Sequence, residues 1–90
     1  MKLRVWWIPQ VPMKAFHVEV SSLEEGAKIM RILADYDLFQ FENKVRPGYS
    51  NAGGLQEWSE EEQEWLDWCD EETGIDDPEE YLEMKKEEQS

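Results

Sequence analysis

Ninety residues allow one domain, of a size at which a single core is only marginally sufficient and partners or self-association commonly add stability. The net charge of -13 is unevenly placed, with seven Lys/Arg against six Asp/Glu in residues 1–50 and two against sixteen in residues 51–90; such a block repels nucleic acid, membrane phosphate and acidic proteins and attracts basic surfaces. Cys69, the one cysteine, excludes an internal disulfide and a thiolate metal cluster, and no apolar run nears the roughly 20 residues that cross a bilayer.

Leu3, Val5 and Trp7 alternate with Lys2, Arg4 and Trp6, and Ile8 follows. This period of two predicts a strand with one face buried, ended by Pro9 and Pro12. The short apolar patch after Lys2 and Arg4 lacks the layout of a secretion signal. Ala15 to Val20 reads as a second strand across the proline-containing turn, with Phe16 and Val18 on one side and His17 and Glu19 on the other. Ser22 stands three residues before Glu25, a capping box, and Leu23, Ala27, Met30 and Ala34 recur at helical spacing, with Ile29, Leu33 and Tyr36 widening the stripe. The spacing predicts a helix over residues 22–36. Gly26 inside it costs about 1 kcal/mol relative to Ala, which close packing against a sheet would explain.

Leu38 to Val45 alternates again, with Phe39, Phe41 and Val45 facing one way and Gln40, Glu42 and Lys44 the other, and predicts a third strand. Residues 46–54, RPGYSNAGG, form the Gly/Pro/Asn-rich loop, where glycines permit close approach of a ligand. Residues 55–69 admit two readings. Ser59 followed by Glu62 can cap a helix carrying Trp58, Trp65 and Leu66; alternatively, residues 55–58 and 65–69 are strands joined by a Glu-rich turn. Clustered tryptophan and the polar 60–64 run favour the hairpin. Asp77, Pro78 and Glu80 mark a second helix start, Tyr81, Leu82 and Met84 give it a short apolar edge, and residues 85–90 are expected to fray. The sum is an α+β domain over residues 1–75, a small antiparallel sheet of order strand-strand-helix-strand-strand-strand with one packed helix, followed over residues 76–90 by a short acidic helix or tail.

No catalytic constellation stands out. Carboxylates are in excess, but none is singled out as an acid/base pair. His17 is the sole histidine, too few for a zinc site from one chain, and Gly53 and Gly54 lack the Lys-Ser/Thr that follows a phosphate loop. Asp70, Glu71, Glu72, Asp76 and Asp77 lack the alternation and central glycine of a calcium loop. The expectation is a protein that is not an enzyme, with no metal and no cofactor.

Two binding constellations remain. The acidic part presents Trp58, Glu60, Glu61, Glu64, Asp67 and Asp70 as contact residues for a basic protein surface, or as carboxylates standing in for duplex phosphates, a DNA mimic. Arg4, Lys44 and Arg46 with Trp6, Tyr49 and Asn51 could instead converge to hold a signalling nucleotide through cations and base-stacking rings. The overall charge disfavours an anionic ligand and favours the protein target. Direct nucleic-acid binding and membrane insertion are not expected; a homo-oligomer is a further state open to so short a chain.

The runs RVWWIPQVP, SLEEGAKIMRILADYDLFQFENKVRPGYSNAGGLQEW and WLDW resemble a family of small phage and prophage proteins labelled superinfection exclusion proteins, over residues 3–72. That resemblance implies a viral accessory protein acting in the cytoplasm of the bacterial host, against host defence or a competing phage. The matching strings contain no catalytic motif, so no functional residue is carried over.

Overall fold

The computed structural model describes residues 2–44 and 50–89; the expectations for Val45, Arg46 and Tyr49 lie outside them. Strands β1 (Leu3–Ile8) and β2 (Phe16–Val20) form the predicted hairpin, helix α1 spans Leu23–Glu42, strands β3 (Ala52–Ser59) and β4 (Glu64–Asp67) form a second hairpin, and helix α2 spans Pro78–Gln89. The sheet is antiparallel throughout, in the order β2-β1-β3-β4. The α+β class and the 55–69 hairpin reading hold; the predicted third strand over residues 38–45 does not.

That stretch continues α1 to Glu42, and its physical cause is Asp37. This carboxylate is 3 % exposed; its Oδ2 accepts from Trp7 Nε1 at 2.9 Å and from Asn51 Nδ2 at 3.0 Å. Met30, Leu33 and Asp37 recur at helical spacing, so the inward stripe runs on through a polar residue that hydropathy does not count. Tyr36, expected on that stripe, is 59 % exposed because Asp37 holds the inward position beside it. No Gly or Pro interrupts residues 35–44. The helix ends where Asn43 Nδ2 donates to the Phe39 carbonyl at 2.8 Å and Lys44 turns to φ 59°. At its start, Ser22 Oγ accepts from Glu25 N at 3.1 Å, while Glu25 reaches back to Ser21, one residue before the cap, at N (3.1 Å) and Oγ (3.2 Å).

The core lies between α1 and one face of the sheet: Leu3, Val5, Val20, Leu55 and Trp68, backed by Val18, Leu23, Ile29, Met30, Leu33 and Tyr81. Each such large side chain removed from water contributes about 1.5–3 kcal/mol. Gly26 is buried, and a Cβ there would stand 3.1 Å from Leu55 Cδ1, so the glycine lets α1 approach β3 closely. Helix α2 closes one flank of the core through an edge-to-face pair between Trp68 and Tyr81, centroids 5.6 Å apart, and an Arg31–Glu79 ion pair links it to α1. Asp77 Oδ1 caps it from Glu79 N at 3.0 Å. Residues 85–89 are helical rather than frayed. Lys85 lies over the Tyr81 ring and 3.6 Å from Glu88, and Tyr81 and then Glu88 hold its ammonium above the ordinary lysine value.

Candidate functional site

Alternation of side chains across the strands sends Leu3, Val5 and Trp7 towards α1 and Arg4 and Trp6 to the opposite, outer face. Register adds neighbours to that outer face: Arg4 lies opposite Gln56, Gln56 opposite Asp67, and Trp58 opposite Trp65. Arg4 Nε donates to Gln56 Oε1 at 2.8 Å while its guanidinium lies 4.3 Å from the Trp65 ring centroid. Trp65 meets Trp58 edge to face at 5.5 Å, and Lys2 Nζ sits 5.5 and 5.8 Å from the two ring centroids and 3.8 Å from Glu19. The result is a half-buried platform of two indoles braced by two cations, each such contact worth about 0.5–1 kcal/mol at an exposed site. Lys2, Gln56 and Trp65 were absent from the sequence-based site. Trp58 and Trp65 flank the 60–63 turn symmetrically, which is the signal that pairs them once the hairpin is accepted.

Beyond the platform, Glu60 and Glu61 lie in the exposed turn and Glu64 and Asp67 on the exposed strand β4. The turn uses the Ser59/Glu62 signal without forming a helix: Ser59 Oγ accepts from Glu62 N at 3.1 Å, and Gln63 adopts φ 57°. Asp70 has a local structural task, accepting from Thr73 N at 3.0 Å and Thr73 Oγ1 at 2.8 Å to shape the turn after β4.

The other candidate set does not come together among the described residues. Arg4 and Trp6 are on the outer face, whereas Lys44 follows the end of α1, in the layer packed on the inner face. Asn51 is committed to Asp37, and Arg46 and Tyr49 lie outside the described residues. Residues 52–54, expected in the loop, open β3. The close approach their glycines permit is that of two indoles: a Cβ on Gly53 would stand 2.1 Å from Trp7 Cε3, and one on Gly54 2.6 Å from Trp6 Nε1. Each tryptophan lies across the glycine opposite it in the register.

Open pockets flank these elements. One of about 290 Å³ is lined by Trp6, Met30, Gly53, Gly54, Leu55 and Trp68 together with Asp67, Asp76 and Asp77. Another, about 270 Å³, lies along α1 beside the start of α2, with Ala27, Ala34, Arg31 and Glu79 in its lining. Among the described residues no three His, Cys, Asp or Glu side chains are placed to hold a metal ion, and no helix is long and apolar enough to cross a membrane.

Fold and surface define a small α+β protein, one four-stranded antiparallel sheet with two helices and a strongly acidic edge. The chain belongs to the superinfection exclusion gene product 17 family, whose profile matches residues 2–87. It is 52% identical to the superinfection exclusion protein of Salmonella phage P22 over 99 aligned positions, covering 98% of this chain and 96% of that one. No solved structure matches it.

Proposed function

We propose that this phage superinfection exclusion protein acts without catalysis, by occupying a protein that has a basic surface, in the cytoplasm of the bacterial host. The observation that carries this reading is the arrangement of charge. The 60–64 turn, β4, the 70–77 segment and α2 all lie at the β4 side of the sheet or on the helix pair, and almost every carboxylate in them is exposed. Next to them stands the Trp58–Trp65 platform, of a residue type enriched among those that dominate protein interfaces. An aromatic patch beside an anionic wall suits a macromolecular surface better than a small substrate. The lone, exposed Cys69 suits a reducing compartment.

Long-range attraction brings the partners together, and the platform then supplies contact area. A photoreactive residue replacing Glu61 should cross-link, in protected cells, to a protein of net positive surface. The same complex, uncross-linked, should dissociate as salt rises, because exposed charges are screened over about 8 Å at physiological ionic strength. Capture only of acidic proteins, or binding unchanged by salt, contradicts the reading.

A further inference from the structure

We propose that the 290 Å³ pocket at the open edge of β3 receives a Lys or Arg side chain of an extended partner segment, which adds to the sheet beside Gly53; this rests on the protein-capture reading above and names the part of the partner that is held. Strand β4 pairs only with residues 56–59. One further bond, Trp68 N to the Leu55 carbonyl at 2.9 Å, ends the ladder, and the chain then passes through the Asp70–Ile75 turn before Asp76 and Asp77 reach the pocket. Because the Leu55 carbonyl points to the β4 side, strand alternation points the Gly53 N–H and C=O the same way, two residues further on, where β4 has stopped. Gly53 lines the pocket, so its backbone presents there a donor and an acceptor of the kind that recruits an added strand.

The lining selects the side chain. Three acidic residues, Asp67, Asp76 and Asp77, line the pocket and no Lys or Arg does. Among the described residues none of the three is ion-paired, Asp77 being engaged only through one oxygen at the α2 cap. The indoles of Trp6 and Trp68 line the same space and favour a cation over an anion or a neutral polar group. Its volume of about 290 Å³, at the small end of ligand sites, has room for one long side chain. Gly54 adds no side chain there, and its place is taken by the Trp6 ring that lies across it. Carboxylate, indole and free strand edge together describe a socket for a cationic residue carried on an extended backbone.

The test uses the full-length protein, isotopically labelled, titrated with a blocked pentapeptide Thr-Val-Arg-Val-Thr, its Gln analogue in place of Arg, and an Arg peptide N-methylated on the backbone either side of the arginine. The Arg peptide should shift the Gly53 amide and the Trp6 and Trp68 indole N–H signals; the Gln and N-methylated peptides should each bind about tenfold more weakly, as should the Arg peptide to the D67N/D76N variant. Both variant sites are exposed, so the fold should survive, which the unchanged remainder of the spectrum would verify. Absence of binding, equal binding of the N-methylated peptide, or shifts confined to residues 60–64 and α2 would overturn the proposal. If the pocket fails in this way while Glu61 still cross-links a basic partner, only the socket is lost; if the cross-link fails as well, the protein-capture reading falls with it.

Discussion

Asp37 shows how a single polar side chain sets a boundary that hydropathy cannot see. Its carboxylate satisfies two N–H donors brought from β1 and from the segment before β3, so Asp37→Ala should strand both and cost about 1–3 kcal/mol. Urea unfolding should show a lower midpoint with an unchanged slope, and Asp37→Asn, which keeps an acceptor, should lose less. The glycine doublet gives a ranking. Gly53→Ala drives a methyl into the buried Trp7 ring, whereas Gly54→Ala meets Trp6 on the half-exposed outer face, where the ring has room to move. Gly53→Ala should therefore lower the melting temperature clearly more than Gly54→Ala, with an overpacking cost of about 1–3 kcal/mol; the reverse order would contradict the assigned faces. Neither relation was legible beforehand. A glycine doublet after Pro, Ser and Asn reads as a loop until the register sets each glycine opposite a tryptophan, and Asp37 reads as solvent-facing until Trp7 and Asn51 are brought to it.

At the scale of elements, the sequence spoke clearly where apolar spacing and capping chemistry agreed: the β1–β2 hairpin, the start of α1 at Ser22 and the start of α2 at Pro78. It misled at residues 38–42, where LFQFE satisfies both a period of two and the outer turns of a helix, so that only the inward partner of Asp37 decides. Candidate contact residues were partly legible for a related reason. The 60–64 acids could be read as exposed from the turn, but whether Trp58 is core or surface could not, and the Lys2–Trp65–Arg4 stack depends on three strands lying side by side. The contribution of α2 can be separated by kind of contact. Trp68→Ala removes a buried ring and its pair with Tyr81 and should cost about 3–5 kcal/mol. Arg31→Gln breaks an exposed ion pair to the same helix and should cost under about 1 kcal/mol. Chemical denaturation of the two variants checks both, and a larger loss for Arg31→Gln would mean that charge, rather than the aromatic pair, seats α2.

For the whole molecule, the sheet order separates two flanks, with β2 at one edge and the acidic β4 at the other, and α2 adds its carboxylates on the helix layer. Mutual repulsion of these groups opposes compaction, so raising NaCl from about 20 mM to 500 mM, which shortens the screening length from roughly 20 Å to 4 Å, should raise the melting temperature of the purified protein; a fall would mean that attractive pairs dominate the flank. The same uncompensated charge is what the proposed function uses. Its most direct test is the plating efficiency of a challenging phage on cells producing the wild-type chain or the E60Q/E61Q/E64Q variant at equal protein levels. The account predicts that the variant folds normally and that protection is lost or strongly weakened, so that plating returns towards that on unprotected cells. Full protection by the neutralised variant would contradict it.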